Sequence, residues 1–145
     1  MLRRLLLALL VFGLFGTATE LLLLGHYDGP AQLIPLALIV VAGSTVAAHA
    51  VTGSARTVRV LRVVMACFVV AGLAGVVLHF RGNLEFQLDM DPAASKWDLF
   101  RKVVRAKAPP ALAPGAMAQL GFLGLIYAYR HPALSRGGHF TGESV

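Results

Sequence analysis

An all-α integral membrane protein is the fold class this sequence predicts: a bundle of four transmembrane helices, with an outer interfacial amphipathic helix between helices 3 and 4. Three observations lead there. Of 145 residues, 57% are hydrophobic and only 14% are charged, whereas an ordinary soluble domain carries about 25% charged residues. Mean hydropathy is +0.73, and the apolar residues stand in long runs instead of the amphipathic or alternating spacings of a soluble fold. One polar excursion, 81–110, interrupts the runs and reads RGNLEFQLDMDPAASKWDLFRKVVRAKAPP. The organisation predicted is a single membrane domain over 1–132 followed by a flexible tail, 133–145.

The first span is expected over 5–24. Arg3 and Arg4 precede it, and only Glu20 breaks its twenty residues, a length of about 30 Å as a helix. The rival reading is a secretory signal, with Arg3 and Arg4 as its basic region, 5–15 as its apolar core and Gly16-Thr17-Ala18 as its cleavage site. Leu21 to Leu24 prolong the apolar run past any such cut, which favours a retained helix.

Gly25-His26-Tyr27-Asp28-Gly29-Pro30 supplies a tight connection without Lys or Arg. The second span, 31–51, holds Pro35 near its outer end, where proline is tolerated if it falls in the first turn. A loop over 52–59 follows, with Arg56, Arg59 and Arg62 beside it, and the third span covers 60–80.

Within the excursion, Leu84, Phe86, Leu88 and Met90 alternate with Glu85, Gln87 and Asp89, which predicts a short half-buried strand. Asp91-Pro92 predicts a helix start, with a capping side chain before a proline. In the helix that follows, Trp97, Leu99, Phe100, Val103 and Val104 share one half of the helical wheel, and Asp98, Arg101, Lys102 and Arg105 share the other. That pattern suits a helix lying in the membrane interface. Trp97, Phe100, Arg101, Lys102, Val104 and Arg105 are its candidate docking residues, for membrane or partner. Pro109 and Pro110 end it, and the fourth span occupies 111–129, with Tyr127, Tyr129, Arg130 and His131 at its far interface.

Net charge is +6 at neutral pH with histidine uncharged. The basic residues flank apolar runs, where they set topology and meet anionic headgroups, so a nucleic-acid partner is not expected. Seven of the Lys and Arg side chains fall on one side of the spans and six on the other. The first hairpin decides orientation: basic, then devoid of basic residues, then basic again. Both termini are thereby placed in the cytoplasm, in a bacterial cytoplasmic (inner) membrane, with the excursion outside. Cys67, the single cysteine, has no intramolecular disulfide partner.

Each span carries a small-residue pair at four-residue spacing: Gly13 and Thr17, Gly43 and Ala47, Ala71 and Gly75, Gly124 and Ala128. Such pairs let helix backbones approach closely in lipid.

Glu20 is the one formally charged residue well inside a span, and an ionised carboxylate in hydrocarbon is by default a functional candidate. Topology brings His26 and His79 to the same depth. Glu20 could hydrogen-bond His79 or Gln119, titrate along a proton or solute pathway, or join the two imidazoles around a metal ion. Histidines also pair by side, His26 with His79 and His49 with His131, an arrangement similar to that of diheme b-type cytochromes. In those proteins the ligands lie deeper than the helix ends occupied here. No cofactor is the leading expectation, with haem b or a metal ion as alternatives.

The chain has no phosphate-binding glycine loop, no Gly-x-Ser-x-Gly elbow, no His-Glu-x-x-His and no Cys-x-x-Cys. The function expected is therefore that of a non-catalytic subunit or assembly partner of a larger membrane complex, associating with lipid and with other subunits or with itself. A small transporter using Glu20 is the alternative, and a redox protein holding haem or metal is third.

Overall fold

The computed structural model describes residues 1–106 and 112–135. Among them the chain is helical throughout: α1 Leu2–Leu23, α2 Pro30–Thr52, α3 Ala55–Met90, α4 Lys96–Val104, α5 Ala113–Ala128 and the short α6 Pro132–Ser135. Three helices, α1, α2 and α3, are long and apolar enough to cross a membrane. α5 is apolar too, but its 16 residues reach only about 24 Å. The outer surface carries large apolar groups such as Phe12 and Phe15, about three-quarters exposed at 75% and 74%. In water such a surface would aggregate, whereas lipid solvates it.

Local chemistry sets the helix ends. α1 closes on Gly25 with φ +64; the amide of Gly25 donates to the Leu22 carbonyl and that of His26 to the Leu21 carbonyl. This pair of bonds is the left-handed stop that glycine makes cheaply. α2 begins at Pro30, whose absent N–H costs nothing in the first turn. It ends on Gly53 with φ +58, and Ser54 then caps α3 by accepting the Thr57 amide at 3.2 Å. The chain thus reverses from α2 into α3 in two residues.

In the packing, α1 lies against α2 and α5, and α3 lies against the same two. Leu10, Val58, Leu61, Met65 and Phe68 are fully enclosed between them. The closest approach is between α3 and α5. A Cβ on Gly72 would stand 2.6 Å from the Ala118 amide nitrogen, and one on Gly121 would stand 2.7 Å from the Met65 carbonyl oxygen. Of the anticipated small-residue pairs, Gly75 and Gly124 belong to this seam, and Gly13 lies against Leu120 of α5. Gly43 and Ala47 face outward and touch no other helix closely.

Two expectations about the excursion are corrected. Residues 84–90 are not a strand; α3 continues through them to Met90 as one helix of 36 residues, about 54 Å long. A lone strand would leave its amides and carbonyls unpaired, and continuing the helix satisfies all of them. Asp91-Pro92 is likewise not a helix start. Asp91 is the C-cap of α3, and α4 begins five residues later under Ser95, which accepts the Asp98 amide. The tail expected from 133 is helical at its start, with Ala133 buried against the core. Pro109, Pro110 and Gly137-Gly138 lie outside the described residues.

Candidate functional site

Polar groups gather at both ends of the packed helices. One end, here the terminal end, joins the start of α1, the α2–α3 turn and the end of α5. At the close of α5 the last carbonyls lack helical partners, and two arginines from other helices supply donors. Arg3 donates to the carbonyls of Tyr127 at 2.7 Å, Tyr129 at 3.1 Å and Arg130 at 2.9 Å. Arg62 of α3 donates to the Ala128 carbonyl at 2.7 Å. Arg130 adopts φ +45, a left-handed conformation that non-glycine residues occupy at a cost of about 1 kcal/mol. Tyr129 and Arg130 both present their carbonyls to the same guanidinium.

His49, in the last turn of α2, is buried at 7% exposure. Its Nδ1 lies 2.8 Å from the Thr57 hydroxyl, which itself donates to the Ser54 carbonyl. The His49 ring meets His131 edge-on at 5.1 Å and Tyr127 at 6.1 Å, and Tyr127 meets His131 at 5.2 Å. His131 Nδ1 accepts the Ala133 amide at 3.2 Å, a bond only the neutral tautomer with its proton on Nε2 can make.

Burial, then the neighbouring His49, Arg3 and Arg62, hold the His131 pKa below the ordinary imidazole value. Folding therefore disfavours protonated His131. Its contribution is intact above the ordinary value, declines as pH falls through it, and levels off only below the folded value. The expected result is a thermal unfolding midpoint that drops between about pH 7.5 and about pH 5.5. His131→Asn keeps an acceptor near the Ala133 amide and cannot titrate, so it should flatten that slope. An unchanged slope would assign the acid sensitivity elsewhere.

The two guanidinium groups beside these rings repel cations. The guanidiniums are already engaged with backbone, so this cluster is suited to clasping α1, α2, α3 and α5 together. The direct contact of His49 with His131 also means that a porphyrin between these rings would have to part them.

At the opposite end, His26 and His79 come together as sequence topology suggested, with rings stacked at 6.2 Å and 22° between planes. Glu20 does not join them. It is exposed on α1, and among the described residues its carboxylate makes no hydrogen bond or ion pair. Gln119, the other suggested partner, faces outward from α5, and its side-chain amide likewise forms no hydrogen bond among the described residues. No group of three His, Cys, Asp or Glu among the described residues is placed to hold a metal ion.

Beyond this end rises a platform made of α4 on the last turns of α3. Phe80, Asn83, Leu84, Gln87 and Asp91, spaced as one face of a helix, are the partly covered residues of that stretch, whereas Phe86 and Met90 stand 62% and 71% exposed. α4 splits its apolar half in two. Leu99 and Val103 are buried; Trp97, Phe100 and Val104 remain outside. Trp97 stacks on Phe100 at 5.7 Å, and Phe100 meets Phe80 at 6.4 Å. Lys102 bonds Asp91 at 2.9 Å, and this hydrogen bond and charge hold the Asp91 carboxyl below its usual range. That contribution is present above the ordinary carboxylate pKa and disappears as pH falls through the lowered one. Arg101 and Arg105 border an open groove of about 560 Å³ with Gln87, Asp98, Lys102 and Ala106.

Sequence reading placed His49, His131 and the α4 residues but missed Arg3, Arg62, Thr57 and Tyr127 as members of one cluster. The available signal was the need of the last α5 carbonyls for donors, with arginines at matching depth. No known protein family matches this chain, nor does any curated protein or solved structure.

Proposed function

We propose that this protein is a non-catalytic subunit or assembly partner of a larger membrane complex, and that it docks through the outward face of α4. The observation that supports this most is the division of labour within α4. Leu99 and Val103 are the buried residues that seat the helix, helped by Phe100 against Phe80 and Lys102 with Asp91, while a stacked Trp97–Phe100 pair and the cations Arg101 and Arg105 stay accessible. Exposed aromatics beside arginine are the composition of binding hot spots. The partner surface this face fits is apolar at its centre and acidic at its rim.

In this reading α5 is a fourth span, held across the bilayer by its close seam with α3, and α4 lies in the outer membrane–water interface with its aromatics at headgroup depth. The terminal end, with Arg3, Arg4, Arg56 and Arg59, faces the cytoplasm of a bacterial cell. The outward placement of Glu20 favours docking over transport, because a carboxylate that carries protons or solute faces an internal path.

Replacing Trp97 and Phe100 together with alanine tests the proposal. Trp97 is 66% exposed and Phe100 47%, and Leu99 and Val103 keep the buried seat of α4, so the variant should remain folded and yet lose the additional protein masses that accompany the wild-type chain in native mass spectrometry of gently extracted membranes. Raising salt should weaken the same association, since Arg101 and Arg105 contribute to it. Unchanged co-purification of the double variant, or a wild-type chain that carries no other protein, would overturn the docking role.

A further inference from the structure

The outward face of α5 carries Gln119, Phe122, Ile126 and Tyr129, all exposed and spaced as a single helical stripe. Three of the four suit lipid or its interface; Gln119 does not. Its neighbour Leu120 packs on Gly13, near the middle of the 22-residue α1, so Gln119 sits at mid-bilayer depth when α1 spans. There a primary amide has two donors and an acceptor with no water to satisfy them. Among the described residues it has no hydrogen-bond partner.

We infer that α5 packs against α5 of a second copy of this chain, with Gln119 of each hydrogen-bonded to Gln119 of the other. The reason for choosing a second copy is complementarity. An amide both donates and accepts, so it is its own partner. Two copies inserted in the same orientation and related by a two-fold axis along the membrane normal bring Gln119 to identical depth. Ile126, two turns away on the same stripe, then faces its counterpart, and Tyr129 lies at the rim where its hydroxyl reaches the interface. Interhelical amide bonds of this kind are a known source of association in lipid, where apolar surface alone gives none. The dimer face is separate from α4, so each copy keeps its docking platform, and the inference stands whether or not that platform has a partner.

Disulfide trapping in native membranes tests the contact. In a Cys67→Ser background, which removes the one natural thiol, Gln119→Cys and Ile126→Cys should each yield a product of twice the chain mass on oxidation. Leu123→Cys, turned toward the other helices, should not. In nanodiscs, Gln119→Leu should weaken dimerisation about tenfold, and Gln119→Asn, which keeps the amide, should retain most of it. Gln119 is exposed, so neither substitution disturbs the packed interior. A cross-link to a protein of different mass would overturn the second copy as occupant. A leucine variant that dimerises as tightly as the wild type would overturn the role of the amide.

Discussion

Gly121→Ala is expected to cost at least about 3 kcal/mol of stability, the upper part of the range for overpacking a well-packed interior. The magnitude follows from what the new methyl would meet. Its Cβ would stand 2.7 Å from the Met65 carbonyl oxygen and 2.8 Å from the Val69 amide nitrogen. These are backbone atoms of α3 and cannot rotate aside as a side chain would. α5 must move away from α3, and Gly72 facing Ala118 and Pro114 is then pulled apart as well. Gly72→Ala should cause the same damage, and the double variant should cost less than the two single costs together, because the seam opens only once. Gly16→Ala and Gly43→Ala are the controls. Nothing lies within 4 Å of either added methyl, so each should be neutral or stabilise by up to about 1 kcal/mol through helix propensity. Unfolding in mixed detergent would rank the four single variants and the double. Equal tolerance of Gly121→Ala and Gly43→Ala would refute the packing argument.

Arg3→Leu is the second large effect, at about 3 kcal/mol. Three carbonyls at the end of α5 lose a charged donor together, and each hydrogen bond to a charged group contributes about 1.5–3 kcal/mol, with less than full additivity among neighbours. The left-handed turn at Arg130 loses its compensation in the same step. Arg3→Lys should recover little, since a single ammonium cannot reproduce the planar fork that spans Tyr127, Tyr129 and Arg130. Arg62→Leu, which removes one bond, should cost about half as much. The same unfolding assay decides: an Arg3→Lys protein as stable as the wild type would show that charge alone, and not geometry, holds the α5 terminus.

Much of this architecture was legible in the amino-acid sequence because hydrophobic length is a strong signal. The first and second spans, expected over 5–24 and 31–51, lie within a few residues of α1 and α2. Charge did not mark where the third helix ends. Arg81 closed the expected third span, yet α3 continues to Met90 because no residue before Asp91-Pro92 interrupts its hydrogen-bond ladder. The alternation of Leu84, Phe86, Leu88 and Met90 misled for a related reason: a seven-residue window fits a two-residue period by chance, and only packing showed the stripe from Phe80 to Asp91 beneath α4.

The candidate residues were legible by depth and not by direction. Histidine positions along each span predicted which rings share an end, and His26–His79 and His49–His131 do meet. Which way Glu20 and Gln119 face depends on helix rotation, which the sequence leaves open; the approach of Gly13 to Leu120 bears on it for α1 and the glycine seam with α3 for α5. Arg3 was read for topology alone, since nothing local to residue 3 announces that its acceptors lie more than 120 positions later.

That separation carries a consequence for biogenesis. A ribosome delivers α1, α2 and α3 to the membrane long before α5, and neighbours along the chain can pair as they emerge. The contacts of α1 with α5, and the Arg3 fork with them, can form only after residue 130 has been synthesised. Until then the lipid-inserted chain has an open flank where α5 will lie, with Gly72 exposed on it. The first helix must wait for the last, so truncation within α5 should leave an assembly intermediate vulnerable to membrane quality-control proteases.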